Sequence, residues 1–311
     1  MRPIYRLAGL ICFLLSPDLV NAATPNAAVT LPDTEEFVVR SEQTGNDYLI
    51  QVGFPVGYEK GDKRYPVLYL LDSNAYFGMV HSLLHLMQLA GDFKPIVIGV
   101  GYPDANKAFD LRTKDLTPAD TVSQKYLDSV NWRTDAVKQT LGGADKFLAF
   151  MEKELDPIVR KKYPIEDEPG GLLGDSFGGL FSAYAFLKHS PIFDRYWIGS
   201  PGGDLTNLDI FKNFKASDRD QRVYLSLGEQ ELTDPFYHDI VGKHYIALVR
   251  KTSKVNDPKL TVTDRVFPGL NHMTVISSAL MQALIYLYAD KWPEYLDLFG
   301  GVHPIFGEEK D

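Results

Sequence analysis

Gly171-Leu172-Leu173-Gly174-Asp175-Ser176-Phe177-Gly178-Gly179-Leu180-Phe181-Ser182-Ala183-Tyr184 is the stretch that decides the fold of this chain. It opens with a short apolar run, crosses Gly-x-Ser-x-Gly, and continues into residues that favour a helix. A serine between glycines at a strand-to-helix junction reads as a sharp turn that lifts its hydroxyl clear of the sheet. The glycines let the two arms of such a turn pass closely, and the serine holds strained backbone angles. Ser176 is therefore the candidate nucleophile. The Phe177 N–H, at the start of the following helix, is a candidate oxyanion donor. The structural alternative is a glycine-rich helix cap with Ser176 as N-cap.

Working outward, two alternating runs at 36–41 and 48–54 read as an antiparallel hairpin on one sheet edge. Continuous apolar runs of strand length follow at 66–71, 95–101, 171–174, 195–199, 222–227 and 260–267. Runs without alternation suit parallel strands covered on both faces. Helix-period stretches lie between them at 77–89, 144–162, 178–188, 235–251 and 272–289. This alternation predicts an α/β fold with a doubly wound, mostly parallel sheet, in a single domain over 35–311. Residues 102–143 show no clean period. They are expected to form a loop excursion, a lid at about 103–143 over the C-terminal edge of the sheet, where such sheets bind ligands. The bland alternative is a surface ornament.

The chain has 311 residues, 45% of them hydrophobic, enough to build a sizeable core and to exclude disorder as the dominant state. Net charge is −9, with no block of Lys or Arg, which argues against a nucleic-acid partner. Arg2 and Arg6 precede a continuous apolar run from Leu7 to Leu15, and Val20-Asn21-Ala22 resembles a small-residue cleavage site. Nine apolar residues are too few to span a bilayer but suit a secretory signal peptide over 1–22, followed by a linker over 23–34. The single cysteine, Cys12, lies inside that segment. The remainder can form no disulfide and use no thiolate. Leu10-Ile11 before Cys12 lacks the small residue of a lipid-attachment site. Export to a bacterial periplasm or the medium is expected, with no stable membrane insertion afterwards.

A serine hydroxyl needs a base. His272 directly follows the last predicted strand in Phe267-Pro268-Gly269-Leu270-Asn271-His272, where a loop can return to the sheet edge; it is the candidate general base. The acid is expected after the preceding strand, within Gly228-Glu229-Gln230-Glu231-Leu232-Thr233-Asp234. Glu231 is preferred, with Asp234 and Glu229 as alternatives. A second oxyanion donor should come from Leu71-Asp72-Ser73-Asn74, with the Asn74 backbone N–H preferred to that of Ser73. Trp132 and Arg112, in the lid, are candidate substrate contacts. His81 and His85 share a helix face, and His238 and His244 flank Asp239. The spacing of the first pair could place two metal ligands on one face, but Ser82 stands after His81 where a zinc-protease helix carries Glu. The second pair points to a metal no more strongly, and no metal or organic cofactor is expected.

Tyr69-Leu70-Leu71-Asp72-Ser73-Asn74, Asp115-Leu116-Thr117-Pro118, Gly174–Gly179 and Gly269–His272 occur in an order and spacing that resemble the bacterial "putative esterase" family of α/β hydrolases. That group includes enterochelin- and salmochelin-type trilactone esterases and is related to esterase D. The resemblance implies that Ser176 and His272 are nucleophile and base, that Asn74 supplies the backbone donor, and that Glu231 best matches the acid. It implies an exported serine carboxylic-ester hydrolase acting through an acyl-enzyme on a siderophore-type or other small-molecule ester. The rivals are an acyltransferase using the same acyl-enzyme and a non-catalytic binding protein on a hydrolase scaffold. Two departures stand out. Asp175 occupies a position where many members carry His or Glu, and Ser200-Pro201-Gly202-Gly203 replaces a Ser-Pro-Ser segment in a pocket wall.

Overall fold

A computed structural model describes residues 30–89, 91, 93–129 and 141–291. Contacts group the chain into two units, Met1–Pro32 and Asp33–Asp311, and every element below belongs to the second. The expected signal peptide, most of the linker, Trp132 and the C-terminal 20 residues lie outside the described residues.

Eight strands form one sheet: β1 Thr34–Arg40, β2 Asp47–Gly53, β3 Val67–Leu70, β4 Ile96–Gly101, β5 Gly170–Asp175, β6 Phe193–Gly199, β7 Gln221–Gly228 and β8 Leu260–Phe267. Their order is β1-β2-β4-β3-β5-β6-β7-β8. β1 pairs antiparallel with β2, Phe37 opposite Ile50, and β2 pairs antiparallel with β4, Ile50 opposite Val100. The other strands run parallel. The hairpin expected at one edge and the parallel sheet expected beyond it are both present.

The period of two along each strand divides the core. Leu68 and Leu70 of β3, Leu173 of β5 and Trp197 of β6 turn to one face. There they meet Phe77, Val80 and Leu84 of helix α1 (Ser73–Met87) and the C-terminal helix Val275–Leu287. Tyr69, Leu172 and Ile198 turn to the other, against Phe147, Phe150, Leu180 and Phe181. Both faces are covered, so the inner strands lack alternation in sequence. β8 is the exception: the apolar run at 260–267 suggested a strand buried on both faces. Among the described residues it is an edge strand of the sheet, with Thr261 and Asp264 exposed.

The excursion at 102–143 is not the plain loop that its lack of period suggested. It contains α2 (Ala105–Asp115) and α3 (Gln124–Ser129). α2 begins on Asp104, whose side chain accepts the Asn106 N–H. Its buried residues are Thr113 and Asp115 rather than an apolar stripe, so it carries no amphipathic signature. Asp115 is held by the Tyr48 and Tyr102 hydroxyls at 2.7 and 3.3 Å. Burial is the largest influence on its carboxyl and pushes it up to about 6. Residues 144–162 form one long helix, α4, with a π turn at Met151–Leu155 between Ala144–Phe150 and Asp156–Lys162.

Candidate active site

Each element of the site hangs from the C-terminal end of a parallel strand. β5 ends at Asp175, Ser176 takes φ +59° and ψ −121°, and helix α5 (Phe177–Leu187) begins at once. That conformation is strained for a residue with a side chain and persists only where its surroundings enforce it. Two glycines do so. A Cβ on Gly174 would lie 2.1 Å from the Gly178 carbonyl oxygen, and one on Gly179 would lie 2.0 Å from that of Gly199. At Gly178 itself the nearest atom would be 3.2 Å away. The tight packing thus falls on Gly174 and Gly179, the latter outside the five-residue motif.

His272 follows β8 through Gly269, which has φ +70°. Asn271 secures the loop: its Oδ1 accepts the Met273 and Thr274 N–H groups, both at 3.0 Å. The Ser176 hydroxyl lies 3.1 Å from His272 Nε2, and His272 Nδ1 donates to Glu231 Oε1 at 2.7 Å. Glu231, after β7, is 0% exposed. Its Oε2 accepts from the Gly228 N–H at 2.7 Å and from the Ser200 hydroxyl at 2.8 Å. The two rival acids are engaged elsewhere. Asp234 caps the next helix by accepting from the Phe236 and Tyr237 N–H groups, and Glu229 accepts the Gly269 N–H.

Burial opposes protonation of His272, but the bond to Glu231 and the negative charge of that carboxylate outweigh it, so its pKa is raised. Tyr237 stacks on the ring, centroids 5.2 Å apart. Nδ1 carries the proton toward Glu231, which leaves the Nε2 lone pair facing the serine.

The Phe177 N–H stands at the head of α5. Asn74 is the second residue of α1, in the loop leaving β3. Its side chain grips the backbone of Tyr102, donating to the carbonyl at 3.0 Å and accepting the N–H at 2.7 Å. Asp72, before the helix, has φ +54°, and its carbonyl takes the Ala75 and Tyr76 N–H groups. The N–H groups of Ser73 and Asn74 precede these at the N-terminus, where helix donors have no intrahelical partner. Arg112 of α2 clamps Asp72 with two bonds, 2.6 and 2.9 Å, and lies 5.4 Å over the Phe177 ring. The candidate substrate contact therefore also braces the segment that carries Ser73 and Asn74.

A cavity of about 260 Å³ opens on Ser176 and His272, with Arg112, Tyr126, Phe236 and Ile240 in its wall. Gly202 and Gly203, from the segment that departs from the family pattern, line it as well. Sequence reasoning missed Ser200 as a support for Glu231. It also missed the contributions of α3 and of the helix after Asp234, since no spacing rule links those segments to Ser176. Of the histidine pairs, His81 and His85 lie 4.0 Å apart, ring to ring, and His85 Nε2 is bonded to the Phe54 carbonyl. Among the described residues no group of three His, Cys, Asp or Glu is arranged as a metal site.

The parallel sheet, the strained serine turn and the histidine facing it define an α/β hydrolase of the serine-type carboxylic ester hydrolases. More narrowly, the family model described as "Putative esterase" matches residues 41–287, and the chain belongs to that family. It is 27% identical over 296 residues to a siderophore triacetylfusarinine C esterase of Aspergillus fumigatus, across 85% of this chain and 96% of the relative. It is 34% identical over 226 residues to an apo-salmochelin esterase of Escherichia coli, across 71% and 69%. The crystal structure of a BES protein from Bacillus cereus shares the fold, with a TM-score of 0.67 and 24% identity over 86% of this chain and 99% of that one.

Proposed function

We propose that this protein is an exported serine carboxylic-ester hydrolase whose triad is Ser176, His272 and Glu231. The observation that carries this is the continuous relay from Ser176 Oγ through both nitrogens of His272 to a buried Glu231. His272 Nε2 takes the serine proton as Oγ attacks the ester carbonyl. The Phe177 and Asn74 N–H groups hold the tetrahedral oxyanion, and one such donor is typically worth about 10²–10³ in turnover. His272 then gives its proton to the departing alcohol. Water, deprotonated by the same nitrogen, releases the acid from the acyl-enzyme. Glu231 orients the ring and stabilises the imidazolium.

Siderophore-type esters are the proposed substrate class, supported by the names of both curated relatives. Arg112 in the cavity wall gives an anionic or catechol-bearing arm one cationic contact. The N-terminal pattern over 1–22 supports export, and no helix among the described residues is long and apolar enough to cross a membrane. The test is hydrolysis of p-nitrophenyl esters from acetate to octanoate and of a tricatechol trilactone by wild type and Ser176→Ala. Turnover that vanishes in the variant supports the proposal. Equal turnover in both proteins overturns it. Amino-terminal sequencing of the protein recovered outside the cytoplasm tests export, with a start near residue 23 expected.

A further inference from the structure

Tyr237 has no place in the proton relay above, yet it touches the base. Its part-buried ring stacks on the His272 imidazole, with centroids 5.2 Å apart and planes inclined by 29°. That spacing falls in the offset range that stacked rings prefer. Tyr237 also stands in the cavity wall with Ser176 and His272. Asp234, a rival for the triad acid in the sequence, turns out to build this stack. Its carboxylate caps the short helix Pro235–Tyr237 by accepting the Tyr237 N–H at 2.9 Å and the Phe236 N–H at 2.8 Å. Pro235, at the first helical position, fixes the entry of the chain. A π turn, His238–Gly242, follows at once, and the His238 N–H donates to the Asp234 carbonyl at 2.8 Å. Phe236 meets the Tyr237 ring edge to face at 5.4 Å. The backbone that carries the ring is thus tied on both sides of it.

The face of an aromatic ring carries negative potential and attracts a cation held within about 6 Å of its centroid. His272 is neutral when it accepts the serine proton and cationic afterwards, so the stack favours the state formed on the way to the tetrahedral intermediate. The other charged or titratable groups acting on the imidazole are Glu231 on Nδ1, Asp175 at the end of β5 and Arg112 of α2. Burial, then the Glu231 and Asp234 carboxylates, raise the Tyr237 hydroxyl above its ordinary 10, so this ring stays uncharged while His272 titrates. We infer that Tyr237, set in place by Asp234, is a positioning residue that covers one face of His272 and stabilises its protonated form in the transition state. This rests on the ester-hydrolase proposal and deepens it.

The test reads the titration midpoint of His272 in two ways. One is kcat/KM of a p-nitrophenyl ester against pH; the other is NMR of the imidazole nitrogens, assigned by loss of the signal in His272→Ala. Tyr237→Leu should lower both midpoints by about 0.4–0.7 of a pH unit, the range of one such contact at a partly exposed site. On the high-pH plateau kcat should fall about two- to fivefold, with KM little changed. Tyr237→Phe should match wild type. Pentafluorophenylalanine at 237, which reverses the polarity of the ring face in nearly the same shape, should titrate like Tyr237→Leu. A wall that merely kept out water would act in the opposite direction, because its loss would hydrate the imidazolium and raise the midpoint. Midpoints in Tyr237→Leu that rise, or stay within about 0.2 of a pH unit of wild type, overturn the inference. A fluorinated ring that titrates like Tyr237→Phe does the same. Absence of Ser176-dependent hydrolysis from wild type would sink the ester-hydrolase proposal, while the NMR midpoints would still decide whether Tyr237 stabilises the imidazolium.

Discussion

Asp175, beside the nucleophile, is 2% exposed, and neither of its carboxyl oxygens has a hydrogen-bond partner among the described residues. Burial, reinforced by Glu231 and Asp72 against the opposing pull of His272 and Arg112, pushes it from 3.8 up to about 8. The folded protein therefore keeps this proton over a range in which the unfolded chain gives it up. Below pH 3.8 both states are protonated and the group contributes nothing. Between there and pH 8 the unfolded state gains about 1.4 kcal/mol per pH unit, so wild-type stability falls as pH rises. Asp175→Asn preserves the shape and removes the ionisation. The displacement bounds the effect at ~6 kcal/mol. Ionised groups in folded proteins draw in water and rearrange, so the expected gain of the variant over wild type between pH 4 and pH 8 is ~2–4 kcal/mol. Urea unfolding of both proteins at half-unit steps measures it. Any pH-independent cost of the amide shifts the whole curve and leaves the slope intact. A difference that stays within ~0.5 kcal/mol from pH 4 to pH 8 would refute the placement of a neutral carboxyl there.

Three other outcomes follow from the site. Glu231→Gln should leave the serine turn in place but remove the charge that orients His272 and stabilises its protonated form; kcat should drop about 10³–10⁴-fold with little change in KM, read by steady-state kinetics. Because His272 must be neutral to accept the serine proton and its pKa is raised, kcat/KM should fall as pH drops, with a midpoint above the ordinary imidazole value of 6.5. Arg112→Lys keeps the charge but loses the two-pronged hold on Asp72. It should lower kcat about 10-fold, with an even effect across acyl chain lengths if bracing of the oxyanion loop is its main role.

The Ser176 turn was legible because it is a backbone demand: one strained residue, with glycines where neighbouring carbonyls approach within 2.1 Å of a hypothetical Cβ. His272 and Glu231 were legible through topology, since parallel strands deliver their following loops to one edge. The choice among Glu229, Glu231 and Asp234 could not be made from pattern alone. The three lie within six residues, and only the bends after β7 decide which one faces the imidazole and which ones cap backbone N–H groups. α2 was missed because the residues it buries are Thr113 and Asp115, the latter held by the Tyr48 hydroxyl of β2, and such polar burial leaves no apolar period. Ser200 entered the sequence reading only as the first residue of a segment that departs from a family pattern, and its bond to Glu231 depends on β6 and β7 being neighbours. β8 misled in the opposite way: an apolar run looks the same in sequence whether the strand is inside the sheet or at its edge.

The central claim is that Ser176 is a nucleophile activated by His272. Its most direct measurement is intact-protein and peptide mass spectrometry after exposure to a fluorophosphonate, with His272→Ala and Ser176→Ala alongside. One adduct per chain is expected, mapped to the peptide holding Ser176, absent from Ser176→Ala and slowed by about 10³-fold or more in His272→Ala. Labelling of Ser176 at the same rate without His272, or an adduct on another residue while Ser176 stays unmodified, would contradict the account.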